Sequence, residues 1–338
     1  MSTSALSTIT LAYRGWGDAK SIGVASVSAS WGVSEIGRFS GILTANQARM
    51  LGFSSLLGLW VLWEHPTLGR WGGVIEDLNV DLFRGTVELA GASFATNLRK
   101  KRTSRNQRVS SAPAGSLWLR AVSDVQNDQD LDIDEANADE GGNLLTWEWR
   151  GDDLFQVTDA LARTANHEYD VYLDDNLRVI AEFRERVGED KTGSVLLIEG
   201  RDVLDGTIAE STYDLINDIL AVSGDDEWAA ADHAVVTDPD SIDLYGRQQG
   251  TSAYDYATRR ASLIPRAQEE LVTLAEPARP ATVRVAATNP QLSLFNIGDT
   301  VELWSATANQ RYDFRVLSRA IAADEGVVTL SGDCAVAE

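Results

Sequence analysis

The chain has 338 residues, enough for two or three domains each with its own core, and an ordinary hydrophobic content of 44%. Its net charge of −22, from 51 acidic against 29 basic residues, argues against tight duplex-DNA binding, which depends on neutralising phosphates. The single cysteine, Cys334, excludes an intramolecular disulfide framework and a cysteine-cluster zinc site.

Positive charge is almost all arginine, the only lysines being Lys20, Lys100, Lys101 and Lys191. Short carboxylates stay hydrated when salt screens long-range repulsion, so the composition suits a salt-loving host, although an acidic mesophilic protein has the same signature. The charge is uneven. Residues 1–120 hold 13 basic and 7 acidic residues, a net +6, which leaves 16 and 44 for the remainder, a net −28. The two parts are expected to face different neighbours.

Residues 1–10 have neither a basic start nor an apolar core, so no signal peptide is expected. Residues 5–97 read mostly as β, with strand patterns at 7–13, 21–31, 35–43, 56–64, 71–82 and 86–95. Thr44 is placed as the N-cap of a short helix ending near Leu51. The apolar run 50–63 is shorter than the roughly 20 residues that span a bilayer. Gly52 and Gly58 make it a turn followed by a buried strand. Residues 65–70 form a turn by their Pro and Gly.

Residues 97–113 read as a boundary and hold the only basic cluster: Arg99, Lys100, Lys101, Arg102, Arg105 and Arg108. No aromatic residue is interleaved for base stacking. A solvated interdomain loop is the default reading; an electrostatic contact with an acidic partner subunit is the functional one. A helix follows at 114–125, with Leu117, Ala121, Val122 and Val125 on one face. The stretch 128–140 is acidic. Asp128, Asp130, Asp132 and Asp134 alternate like the start of a calcium loop. However, Ile133 stands where the sharp turn needs Gly, and Asp139 where a bidentate Glu is expected. These four are a weak calcium candidate set, and a solvated acidic loop is the default.

Residues 144–224 are the best-patterned stretch: strand, helix at 152–166, then three strands. In the helix, Leu154, Val157, Leu161 and Ala165 form one apolar stripe, with Asp152 and Asp153 at its positive end. Trp147 and Trp149 share one strand face. We read that face as packed on the helix rather than as a carbohydrate-stacking platform. Further on, residues 253–276 form the longest predicted helix, kinked at Pro265. Strands return at 282–287, 300–305, 312–322 and 326–331.

No catalytic set is evident. His65, His167 and His233 lack metal-ligand spacing. Nucleophile-elbow, Walker and dinucleotide-binding motifs are absent. With 51 acidic residues, any chosen carboxylate pair is uninformative. No cofactor is implied.

The order of elements nevertheless resembles a known family. A β-rich start carries Trp71-Gly-Gly-Val-Ile75. A small α+β region has Leu154, Leu161 and Tyr169-Asp-Val171. Asn217 leads to Asp238-Pro-Asp-Ser-Ile-Asp-Leu-Tyr-Gly246, then a long helix and Ile297-Gly-Asp-Thr-Val-Glu-Leu303. Over nearly the whole chain this resembles the baseplate or tail-tip hub proteins of tailed viruses, which share the contractile-phage hub fold. With the acidic, lysine-poor composition, it points to a siphovirus of a halophilic archaeon.

The resemblance implies an α+β chain in three parts. Residues 1–100 and 231–338 would be β-barrel-like, ring-forming domains, the latter opening with the long helix. Residues 101–230 would hold a linker helix and an inserted α+β domain. It also implies a homotrimeric, non-enzymatic hub in the virion, made in the host cytoplasm, without a membrane anchor. The hub would dock on the tail tube or distal tail protein and contact receptor-binding or fibre proteins. Its lumen would pass the tape-measure protein, then DNA. The chain ends directly after the last barrel, so no lysozyme or peptidase extension is expected. The competing readings are a glycan-binding tail module, suggested by ten tryptophans, and an envelope-degrading enzyme, suggested only by the carboxylates.

Overall fold

In the computed structural model, residues 7–141, 144–223, 233–254, 260–322 and 326–337 are described. The chain opens with β1 (Ser7–Ala12), β2 (Lys20–Val24), β3 (Val27–Gly32) and β4 (Arg38–Thr44). Helix α1 (Ala45–Leu51) begins where expected. The Thr44 side chain accepts the Gln47 N–H, and the Gln47 side chain accepts the Thr44 N–H, so two otherwise orphaned donors are satisfied reciprocally. Gly52, in the left-handed conformation, ends it. β5 (Trp60–His65), β6 (Gly69–Asp81) and β7 (Thr86–Ser93) follow. Trp60 to Trp63 are all buried, which explains the unbroken apolar run there.

Next come β8 (Arg105–Pro113), α2 (Ala114–Asp128), β9 (Glu135–Ala138), β10 (Leu144–Arg150), α3 (Leu154–Ala165), β11 (Glu168–Leu173), β12 (Val179–Arg184), β13 (Leu196–Ile198) and β14 (Val203–Ile208). Two expectations change here. The basic boundary segment contains a strand, β8, paired antiparallel with β10. The acidic stretch contains β9, which joins β12 in parallel. Both strands are polar and carry no apolar alternation that a sequence pattern could register. Pairing satisfies their backbone groups instead.

The remaining elements are β15 (Asp218–Ser223), β16 (His233–Thr237), α4 (Pro239–Tyr245), β17 (Gln249–Tyr254), α5 (Arg260–Leu274), β18 (Pro280–Ala286), β19 (Thr300–Ser305), β20 (Gln310–Ala322) and β21 (Val327–Val336). Pro265 lies inside α5, as expected. Of the predicted start of that helix, Ala253 and Tyr254 instead end strand β17, and 255–259 lies outside the described residues.

The chain is α+β, and it divides into two compact units: residues 1–206 with 282–338, and residues 207–281. These divisions fall elsewhere than the expected 100/101 and 230/231. In the first unit the N- and C-terminal strands join. β20 pairs antiparallel with β3, Ser318 facing Gly32 and Ala322 facing Ser28. The result is one sheet of 13 strands, its main path running from β14 through β18, β21, β20, β3, β4, β7, β6, β5 and β1 to β2. No pairing among the described residues closes this path, so the two expected barrels appear as one open, continuous sheet. Alternation along a strand specifies which face is buried, not which strand lies beside it.

The second core of this unit lies between α2, α3 and the three-stranded sheet β11-β12-β9. Leu117, Ala121, Val122 and Val125 of α2 are buried, as are Leu154, Val157 and Leu161 of α3. Trp118 stacks on Phe183 at 5.4 Å, and its Nε1 donates to Thr158 Oγ1 at 3.1 Å. Asp153 caps α3 by accepting the Phe155 N–H, and Asn166 ends it with φ of 54°. In the second unit, the sheet β16-β15-β17 packs Ile219, Ala221 and Ala234 against Leu263, Ala267 and Leu271 of α5.

Candidate functional site

The basic segment is stitched to the start of α3. The Lys100 N–H donates to Asp153 Oδ2 at 2.6 Å, the Leu154 N–H to the Lys101 carbonyl at 2.7 Å, and the Thr103 N–H to the Asp152 carbonyl at 2.9 Å. Lys101 Nζ donates to the Asp130 carbonyl at 2.9 Å. The Arg99 guanidinium lies 5.9 Å from the Phe155 ring centre. The backbone of this segment is therefore ordered by the helix it precedes, while Arg99, Lys100, Arg102 and Arg108 remain exposed. Arg105 and Arg108 lie on β8 opposite Arg150 and Glu148. Arg102 and Arg150 line a polar cleft of about 870 Å³, together with Ser104, Asp124 and Asp128.

The alternating aspartates do not converge. Asp128 is the last residue of α2. Asp130 Oδ1 accepts the Asp132 N–H at 2.9 Å, and Asp134 Oδ2 accepts the Val179 N–H at 2.8 Å. Asp132 pairs with Arg14 at 3.1 Å; burial raises its pKa, against the pull of that arginine. Among the described residues, no group of three or more His, Cys, Asp or Glu is placed to hold a metal ion. The histidines are also separate. His65 bonds Thr67 through Nδ1, His167 bonds the Ala165 carbonyl, and His233 is exposed on β16.

The two sequence motifs have structural roles. Asn217 is fully buried. Its Nδ2 donates to Ser241 Oγ at 3.2 Å and to the Gly246 carbonyl at 2.8 Å, and its Oδ1 accepts the Gln248 N–H at 2.7 Å. Ser241 Oγ donates onward to the Ala275 carbonyl at 2.6 Å. Asp238 caps α4 through the Ser241 N–H at 3.0 Å. Asn217 with the 238–246 segment is thus a saturated clasp inside the second unit. The Gly-Asp-x-Val element is a tight turn. Asp299, buried, accepts the N–H groups of Glu189 and Asn296 at 2.6 and 2.8 Å. Gly298 has φ of +85°, and a Cβ there would stand 2.5 Å from the Val187 carbonyl oxygen. Trp149 is buried and Trp147 packs half-buried on the same core, so this pair is not an exposed platform.

A second cleft, of about 740 Å³ and within the first unit, was not legible from the sequence. One wall is the face of β11 and β12 turned away from the core, with Asp170 opposite Glu182. Trp31 and Arg70 line it from β3 and β6. Burial pushes Asp170 up to about 7, and the Glu182 charge adds to the shift. These residues come from separate segments, and although Asp170 falls in the Tyr169-Asp-Val171 stretch, only perturbed chemistry in a concavity marks them as a site.

The sequence matches no protein family and no curated protein. Solved structures do match. A tail protein from Neisseria meningitidis MC58 aligns over 97% of this chain and 97% of its own, with a TM-score of 0.70 at 12% identity. The 43 kDa tail protein of prophage MuSo2 from Shewanella oneidensis aligns over 96% and 97%, with a TM-score of 0.67 at 15% identity. The E. coli c3393 protein is described as a type VI secretion component similar to the T4 tail proteins gp27 and gp5. It aligns over 93% of this chain and 74% of its own, with a TM-score of 0.56 at 10% identity. The chain has the fold of a phage tail protein.

Proposed function

We propose that this protein is a structural component of a viral tail, a baseplate hub forming a ring at the distal end of the tail tube. The observation that carries the reading is a tail-protein fold matched over 97% of this chain and 97% of its neighbour, at a TM-score of 0.70. In this reading three copies close the ring, and the tape-measure protein and then DNA pass through it. A net charge of −22 suits such a passage, because acidic walls repel phosphate and keep DNA from adhering. The exposed basic residues Arg99, Lys100, Arg102 and Arg108 would meet an acidic partner surface, either a second copy or a distal tail or fibre protein. Among the described residues no helix is long and apolar enough to cross a membrane, and the reading needs none.

The mass of the purified protein and of assembled tails tests the proposal. A trimer, or incorporation at the tail tip, is expected. A strict monomer that does not associate with tails overturns it. Four lysines among 338 residues further suit a virus of a halophilic archaeon. Folding that needs molar salt is the expected outcome, and full stability in dilute buffer counts against that origin.

A further inference from the structure

The cleft on β11 and β12 has the size of a small-molecule site and the mixed chemistry of a specific one. Its charged groups are held in place. Glu182 Oε1 accepts the Tyr172 hydroxyl at 3.2 Å and Arg184 Nη2 at 2.7 Å. Arg70 is anchored by Glu64 at 2.9 Å and donates to the Asp174 carbonyl at 2.7 Å. Asp170 has no arginine or lysine partner among the described residues. It shares the cleft with Glu182, Arg184 and Tyr172 of its own sheet, and with Glu35, Arg70, Glu189 and Lys191 from the other walls.

Aromatic surface completes the site. Tyr172 is 38% exposed, and Trp31 is half-buried at the end of β3. The buried Arg319 holds Trp31 from within the unit. Its guanidinium lies 5.9 Å from that ring and 4.9 Å from Phe295, and donates to the Phe295 carbonyl at 2.9 Å. The indole is therefore set rather than free to turn.

Each ligand class meets this lining differently. An anion would face Asp170, Glu182 and Glu35, while the cations of the lining, Arg70, Arg184 and Lys191, are already paired with Glu64, Glu182 and Glu189. A purely apolar ligand would strand charged groups without water. A metal ion lacks a suitable donor group among the described residues. A sugar has an apolar C–H face for an aromatic ring and hydroxyls that both donate and accept, which matches carboxyls and guanidiniums side by side. We infer that this cleft binds a saccharide, with its C–H face on Tyr172 and Trp31 and its hydroxyls bonded to Asp170, Glu182 and Arg70. The glycan-reading surface would then be this cleft and not the Trp147/Trp149 strand. The inference does not rest on the hub reading: a monomeric protein that binds the sugar removes the hub and leaves the cleft.

Calorimetric titration of the full chain tests it, using chitotetraose, maltotetraose and mannotetraose, with sialyllactose as the acidic control. At least one neutral oligosaccharide is expected to bind, and the acidic one to bind at least tenfold more weakly. Tyr172→Ala and Glu182→Gln should each weaken binding tenfold or more, with unchanged circular dichroism. Binding should be several-fold tighter at pH 6 than at pH 8, because the neutral form of Asp170 is easier to desolvate under a sugar. Asp170→Asn should flatten that dependence. No binding by any member at 10 mM overturns the inference. So does binding that both Tyr172→Ala and Glu182→Gln leave unchanged. Should the alanine variant misfold, Tyr172→Leu, which keeps the bulk and removes the ring, and Glu182→Gln carry the same test.

Discussion

The Asn217 clasp in the second unit and the Asp170 cleft in the first are built from the same kinds of polar side chain, and they differ in saturation. Around Asn217 the side-chain amide and the Ser241 hydroxyl are spent on defined partners inside the fold. Around Asp170 a carboxyl that accepts the Val171 N–H faces another carboxylate across two strands, beside open volume, with no arginine or lysine paired to it among the described residues. Buried polar groups are normally satisfied, so a saturated network reads as architecture and an unsaturated one as a place for a ligand. That distinction is invisible in the sequence, where the clasp residues form one conspicuous motif and the cleft residues are scattered over several segments, with only Trp71, Gly72, Asp170, Val171, Ile297 and Asp299 falling in the stretches that carry the family resemblance.

The largest effect that could break this comparison is at the clasp. Asn217→Ala should destabilise the protein by about 3–5 kcal/mol, because the Gly246 carbonyl, the Gln248 N–H and the Ser241 hydroxyl lose a partner in a buried site. Chemical denaturation measures it, and a loss under about 1 kcal/mol would mean that water replaces the amide.

The next effect is at the cleft and carries the opposite sign. With its folded value raised to about 7, Asp170 retains its proton in the native state while the unfolded chain releases it near 4. Its neutral form thus contributes fully at low pH, and stability falls as pH rises from about 4 to about 7. Asp170→Asn should remove that slope and stabilise the protein at pH 8 by about 2 kcal/mol, read from melting curves across pH. A variant as pH-dependent as the parent would place the titration elsewhere.

A smaller effect belongs to neither network. Thr44→Ala removes the side-chain half of the α1 cap, leaving the backbone N–H bond to Gln47, and should cost about 1 kcal/mol, measurable as a lowered denaturation midpoint. The smallest is at the basic segment. Arg102→Glu should change stability by less than about 0.5 kcal/mol, since the side chain is exposed. In the hub reading it should still weaken association, seen as a shift toward monomer by sedimentation.

Much of the local structure was legible. The α3 stripe of Leu154, Val157 and Leu161, the Thr44 cap and the closing strands β18 to β21 stand where periodicity and capping chemistry put them. The burial of Trp149 likewise follows from alternation along β10. The polar strands β8 and β9 were not legible, because pairing rather than side-chain pattern makes them strands. The two motifs singled out by their residues proved to be a clasp and a turn, and the turn, through Ile297 and Asp299, forms part of one wall of the cleft with perturbed chemistry.

What the sequence determined by itself is the set of elements and their buried faces, since side-chain periodicity and caps act within a few residues. Only the tertiary structure decided that β3 lies beside β20, joining two expected barrels into one open sheet. It alone brought Trp31, Arg70, Asp170 and Glu182 to one cleft. Strand partners and concave sites arise from burial between segments far apart in the chain, and no local pattern encodes which distant backbone edge or side chain will meet.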